Sequence, residues 1–371
     1  MRTVIVTFDS PENVGGVEGR ATAYTRELQA QGHAVIAAAF ARTYHPSTAP
    51  FEGSLLHRFP SGPGHLLPSL FRFQRLVRGF SADSIFLLSG GITAFGALTL
   101  AYCRISRHRS AILYYGKDVL EARRSASGQL LLGLSQLLAD RIVANSRYTA
   151  SLVPRSLRKK TDVLYPSVNP REAEGLTVDG GRIGQRVLFV GRLVKRKGAE
   201  DLIEAFRSVA DNHPALVLEI VGDGPERRSL ERQVADLNLG GRVRFYGTLR
   251  GQALYERYAL CDVFAMPSRT LESDVEGFGT VFLEAGLFGK PAIGTFSGGI
   301  PEAIQNGVTG ILVGEGNVPQ IAYAIETLLT QKILANNMGE ASRKRVLEDF
   351  TWAKGTTRLV SILSRPNADQ N

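Results

Sequence analysis

The chain has 371 residues, 44% of them hydrophobic and 21% charged, with a formal net charge of +9. That length exceeds what one core comfortably fills, so about two domains are expected, and the composition excludes a disordered chain. The positive balance calls for an anionic partner, whether nucleotide phosphate, a membrane surface or nucleic acid.

Arg2-Thr-Val-Ile-Val-Thr-Phe8 carries one charge and no small-residue cleavage pattern, so it reads as a first buried strand and not a signal peptide, which places the protein in the cytoplasm. Short β-branched runs then alternate with helical patterns, the signature of parallel sheets covered by helices on both faces. Strands are expected near 4–8, 34–40, 84–88, 111–115, 141–144 and 162–164, and again near 186–190, 216–221, 243–246, 262–266, 292–295 and 311–313. Each half is thus read as a doubly wound sheet. Within the first half, Leu70, Phe73, Val77 and Phe80 recur at helical spacing with Arg72, Arg75 and Arg78 interleaved. Such a helix can lie on an anionic leaflet or cover a sheet with a solvated arginine edge. The apolar run 91–103 is shorter than the ~20 residues a membrane-crossing helix needs and reads as another sheet-covering helix. Cys103 and Cys261, both in apolar runs, read as buried thiols.

The stretch 166–184 is rich in Pro, Gly and charge, and separates the halves. The expected division is a first domain at 1–170, a linker at 171–185, a second domain at 186–349, and a helix at 350–371 that packs back on the first domain. Closure of the halves would hinge at the linker and near Phe350.

The most informative stretch is Glu276-Gly-Phe-Gly-Thr-Val-Phe-Leu-Glu284. It follows one strand and precedes another, so its glycine turn sits at the carboxyl end of a strand, where open parallel sheets take ligands. Gly277 and Gly279 let main chain approach a ligand and present N–H groups at a helix start, which favours phosphate. Glu276 and Glu284 can accept hydrogen bonds from hydroxyls at opposite ends of one molecule; a sugar nucleotide has hydroxyls at both ends and a diphosphate between. After the second half's first strand, Arg192 and Lys197 can converge on one anion, and fixed cations stabilise the charge that grows on a departing diphosphate; a solvated basic loop is the plainer alternative. Gly15 and Gly16, in Asn13-Val-Gly-Gly-Val-Glu-Gly19, suit a phosphate-facing turn, although their spacing is not the dinucleotide fingerprint. Asp223, in Val221-Gly-Asp-Gly-Pro225, reads as a helix cap.

These segments, together with Asp140-Arg-Ile-Val-Ala-Asn-Ser146, Gly289-Lys-Pro291, Gly298-Gly-Ile-Pro-Glu302 and Gly307-Val-Thr-Gly310, resemble the retaining glycosyltransferases of family 4 over nearly the whole chain. The resemblance implies the GT-B fold, two Rossmann-like domains facing a cleft. It implies that Arg192 and Lys197 grip the donor diphosphate, that Glu276 holds the hexose and Glu284 the ribose, and that the amides of Phe278, Gly279 and Thr280 reach sugar and phosphate, with Gly16 over the diphosphate. It also implies transfer from an NDP-sugar without a bound metal; the sequence has no D-x-D and no His/Cys cluster suited to one. Many relatives carry a cleft histidine where this chain reads Tyr114-Tyr115-Gly116-Lys117-Asp118. Tyr115 takes that place, and a tyrosine is a poor base at neutral pH. This suits a front-face reaction in which the leaving phosphate oxygen takes the acceptor's proton, with Asp118 as an alternative base.

The expected partners are therefore a UDP- or GDP-linked sugar and a glycan or lipid-linked acceptor, with no cofactor. Basic clusters at 104–109, 123–124 and 155–160 add to the case for an anionic acceptor or an inner-leaflet contact. No nucleic-acid recognition module is present. A sugar-nucleotide epimerase on the same fold, or a nonenzymatic nucleotide-sugar-binding protein, would share the donor residues.

Overall fold

The structure, a computed structural model, describes residues 1–8, 18–41, 48–51, 54–60, 63–88, 91–176, 185–272 and 274–365. The loop of Gly15 and Gly16 and the linker residues 177–184 lie outside the described residues. The chain divides into two compact units: Met1–Tyr165 together with the chain from Trp352 onward, and Pro166–Thr351.

The first unit is built on eight strands, β1 (Arg2–Thr7), β2 (Ala34–Ala41), β3 (Thr48–Phe51), β4 (Ser54–Pro60), β5 (Ser84–Leu87), β6 (Arg109–Tyr114), β7 (Arg141–Ala144) and β8 (Thr161–Val163). Their spatial order is β3-β4-β2-β1-β5-β6-β7-β8, and every neighbouring pair is parallel except β3–β4. Successive residues of β1 enter opposite cores: Val4 and Val6 pack with Phe40, Phe73 and Leu100, while Ile5 packs with Tyr24, Phe86 and Leu359. Burial on both faces is why such strands read as unbroken apolar runs. β3 and β4 correct the expectation of six strands here. They form an antiparallel hairpin at the sheet edge; Pro50 in β3 is tolerable there, and β4 breaks its apolar run with His57 and Arg58.

The helices Leu66–Phe80, Ala94–Ser106 and Ala126–Leu138 contribute to one core, while Glu18–Ala30 and the C-terminal Trp352–Ser364 contribute to the other. Leu359, Ile362 and Leu363 are fully buried against the first sheet, and the Trp352 ring meets Tyr24 edge-on with centroids 5.1 Å apart. Three such side chains contribute about 1.5–3 kcal/mol each, which holds the helix to this unit.

The second unit has six parallel strands, β9 (Gln185–Val190), β10 (Leu216–Val221), β11 (Val243–Gly247), β12 (Val263–Ala265), β13 (Ala292–Thr295) and β14 (Gly310–Val313), in the order β11-β10-β9-β12-β13-β14. The order reverses between β9 and β12, and a crevice outside the carboxyl ends of strands at such a point is where open sheets take ligands. The division between units falls after Tyr165 rather than at 170. Val168 is buried and its N–H donates to the Phe350 carbonyl at 2.8 Å, so the last residues of the expected first domain belong to the second unit. Among the described residues, no helix is long and apolar enough to cross a membrane.

Candidate active site

The loop that follows β9 lies on a bed of main chain from the loop that follows β10. Gly191 N–H donates to the Val221 carbonyl at 3.0 Å, Leu193 N–H to Asp223 at 3.0 Å, and Glu226 N–H to Leu193 at 3.1 Å. A Cβ on Gly222 would stand 1.9 Å from the Gly191 carbonyl oxygen, and one on Gly224 would stand 2.4 Å from that of Leu193. The Val221-Gly-Asp-Gly-Pro225 glycines therefore serve close loop packing. Asp223 braces this turn, accepting from Gly224 N–H at 2.7 Å and pairing with Arg227 at 3.2 Å. The following helix, Arg227–Asp236, takes Glu226 at its N-cap position, which corrects the expectation of Asp223 as the cap.

The basic turn Lys195–Lys197 is held at both ends. Gly198 has φ 70°, and a Cβ there would lie 2.0 Å from the Pro267 carbonyl oxygen. The Arg196 carbonyl accepts from Arg269 N–H at 2.7 Å. From this anchored turn, Lys197 Nζ reaches 2.5 Å from Glu276 Oε2, and Arg196 Nη1 reaches 2.7 Å from the same oxygen. Arg196 Nε also lies 2.9 Å from Asp274 Oδ1, close as an ion pair though not aligned as a hydrogen bond. The Lys197, Arg196 and Glu276 side chains are only 13–14% exposed. Burial alone would raise the Glu276 carboxyl, but Lys197 and then Arg196 overcome it and hold the pKa at about 2. Arg192 is exposed, and its side chain has no partner among the described residues. The structure thus joins Lys197 to Glu276 and leaves Arg192 open. Arg196 was not anticipated: it stands between two lysines, and sequence alone does not say which of three consecutive cations turns inward.

The glutamate turn is itself packed by glycines. A Cβ on Gly298 would lie 2.2 Å from the Glu276 carbonyl oxygen, and one on Gly299 would lie 2.1 Å from that of Gly277. Phe278 is buried, with its ring centroid 5.9 Å from that of Phe350. Gly279, at φ 89°, opens the helix Thr280–Leu287, whose positive dipole end lies beside Glu276. One turn in, Glu284 Oε2 accepts from the Tyr258 hydroxyl at 2.6 Å. Burial raises the Glu284 pKa, with the Tyr258 hydrogen bond and the Lys197 charge opposing. Beside it, Glu172 is half-buried next to Tyr255; burial pushes its pKa up to about 7, Tyr255 opposing and Glu284 adding. Glu172, Tyr255 and Tyr258 were also missed, Glu172 because its segment reads as linker.

In the first unit, the Tyr115 hydroxyl donates to the Leu88 carbonyl at 2.9 Å, and the Arg20 guanidinium carbon lies 5.0 Å from the ring centre. Asp118 Oδ1 accepts from Tyr115 N–H at 3.0 Å and Val119 N–H at 2.9 Å. Its pKa rises to about 6 through burial, against the pull of these main-chain amides. Asp118 therefore fixes the turn 115–119, and the main chain already uses the Tyr115 proton. Both cysteines are free and buried, and no three His, Cys, Asp or Glu side chains gather as a metal-ligand group among the described residues.

Glu276 on Lys197 and Arg196, and Glu284 on the Tyr258 hydroxyl, thus stand as two buried carboxylates at the switch point of a parallel sheet. The chain matches HepE from Anabaena, solved in complex with UDP and glucose, with a TM-score of 0.77 and 20% identity over 99% of this chain and 100% of that one, a likeness of fold. Residues 184–345 match the family model described as glycosyl transferases group 1 and residues 14–172 the one described as glycosyltransferase family 4, and the chain belongs to that family. A GDP-mannose-dependent alpha-(1-6)-phosphatidylinositol monomannoside mannosyltransferase from Mycobacterium tuberculosis is 38% identical over 191 residues, which is 50% of each chain. A sulfoquinovosyl transferase from Arabidopsis thaliana is 30% identical over 306 residues, 76% of this chain and 56% of that one. The matches thus span about half the length of these curated relatives.

Proposed function

We propose that the protein transfers a hexosyl unit from an NDP-sugar to a glycan or lipid-linked acceptor with retention of configuration and without a resident metal. The observation that carries this is the Asp274–Arg196–Glu276–Lys197 chain of alternating charges, with Arg192 exposed earlier in the same loop. In this reading the donor diphosphate draws Lys197 from Glu276 and meets Arg192, so two cations face the charge that develops as the glycosidic bond breaks. Glu276 Oε1, which has no bond to any described residue, accepts from the hexose, and Glu284 takes the ribose. The leaving phosphate oxygen accepts the acceptor's proton. Relatives named for GDP-mannose make it the first donor to test, with UDP-glucose second.

A lipid-linked acceptor and an anionic leaflet are favoured by the surface of the first unit. Helix Leu66–Phe80 exposes Leu67 and Phe71 beside Arg72, Arg75 and Arg78. Ala94–Ser106 and Ala126–Leu138 expose Ile105, Leu130 and Leu137, and none of the three helices contains an acidic residue. Flotation with liposomes of rising anionic-lipid content is expected to show rising binding; indifference to lipid charge retires the membrane contact. Product analysis tests the reaction: transferred sugar supports it, while an isomerised nucleotide sugar with no transfer moves the reading to an epimerase.

A further inference from the structure

Two cations meet one oxygen of Glu276, and the reading above gives a ligand to only one of them. We infer that Arg196 is the standing partner of Glu276, a positioning residue that keeps this carboxylate placed and charged when Lys197 turns to the donor diphosphate. The inference rests on the proposed donor site and adds a residue to it.

The two cations differ in how they are held. Lys197 ends in a point charge on a flexible stem, whose only other hydrogen-bond partner among the described residues is the Met266 sulfur at 3.5 Å. Arg196 presents a planar fork, with Nη1 on Glu276 at 2.7 Å and Nε beside Asp274 at 2.9 Å, so one rigid group spans two carboxylates. Its main chain is fixed by Arg269 on one side and by the glycine at 198 on the other. Arg196 is therefore the cation that stays and Lys197 the one free to turn. If both left, a carboxylate 13% exposed would face no counter-charge, and such a group takes up a proton instead. The charged groups around Glu276 are Lys197 and Arg196 from the β9 loop, Asp274 from its own segment through Arg196, and Glu284 from the following helix, which shares the field of Lys197. The loop at Gly298 and Gly299, packed on its main chain, brings no charge. A protonated Glu276 would lose the strong acceptor that the hexose needs.

The test compares wild type, Arg196→Gln and Arg196→Lys as full chains, with GDP-mannose and UDP-glucose as donors, and GDP and UDP as sugar-free probes. Arg196→Gln is expected to lower kcat by about 10–100-fold, the scale of a misplaced catalytic contact. It is expected to leave GDP or UDP affinity within about twofold, since the diphosphate cations Arg192 and Lys197 are intact and loss of a pairing contact appears where that contact is used. Its kcat is also expected to fall on the acid side, at about pH 5–7, where wild type stays flat, because with Lys197 on the diphosphate no cation then opposes burial of Glu276. Arg196→Lys is expected to restore the flat acid side and part of kcat. Wild-type kcat with an unmoved acid limb in Arg196→Gln overturns the inference, as does a parallel loss of GDP and UDP affinity, which would assign Arg196 to the diphosphate or to the fold. If wild type neither binds these nucleotides nor transfers either sugar, the donor-site reading fails first and the inference falls with it.

Discussion

Replacing Lys197 with methionine separates what this side chain does for chemistry from what it does for the fold. Its ammonium lies 2.5 Å from Glu276 Oε2, and both side chains are 13% exposed. Removing one fixed group that stabilises developing negative charge costs about 2.7–4 kcal/mol, a fall of about 10²–10³ in kcat. The structural cost is smaller, because Glu276 keeps Arg196 at 2.7 Å. A buried carboxylate stripped of its only partner costs about 3–5 kcal/mol, so losing one of two is expected to cost about 1–2 kcal/mol. At about 2–4 °C per kcal/mol for a unit of this size, Tm should drop by about 2–8 °C. Initial rates of sugar transfer and calorimetric unfolding in one buffer measure both. Turnover within tenfold of wild type would refute the role of Lys197, and a fall in Tm beyond about 10 °C would show that Arg196 does not hold Glu276 alone.

Arg192→Ala should lower transfer by about 10²-fold while shifting stability by no more than about 0.5 kcal/mol, because the side chain is exposed and unpartnered among the described residues; unchanged turnover would remove it from the diphosphate site. Gly198→Ala should lower stability by more than about 2 kcal/mol and activity with it, since φ is 70° and the new Cβ would stand 2.0 Å from the Pro267 carbonyl oxygen; a variant as stable as wild type contradicts that packing. Glu172 supplies a pH prediction. Its folded pKa of about 7 lies above the ordinary 4.5, so the folded state holds the proton more tightly than the unfolded one. Stability is then fullest at acid pH and declines as pH rises from about 4.5 through about 7. Between pH 5 and 8 the Tm of Glu172→Gln should be flatter than that of wild type, and parallel curves would contradict the burial of this carboxyl.

Much of the architecture was legible because strands buried on both faces leave continuous apolar runs, as in Val4–Val6 of β1 and Val187–Val190 of β9. The β3–β4 hairpin was not, because an edge strand needs no such run and β4 carries His57 and Arg58 within it. Glu276, Glu284 and Lys197 were readable from their places at strand ends and a helix start. Arg196 was hidden among like charges, and Glu172 meets Tyr255 only because segments distant in sequence fold together. Gly277 and Gly279 were read for their approach to ligand; at 222, 224, 298 and 299 the structure gives the glycines a packing reason, since any Cβ there would strike a neighbouring carbonyl. For Tyr115 and Asp118, sequence could name the turn but not the main-chain partners that occupy both side chains.

A crystal structure of the wild-type chain with GDP-mannose or UDP-glucose bound tests the donor site most directly. The account predicts diphosphate oxygens about 3 Å from Arg192 and Lys197, Lys197 turned away from Glu276, Arg196 still upon it, and the hexose on Oε1. A diphosphate bound away from both cations, or Lys197 still paired with Glu276 in the presence of donor, would contradict it.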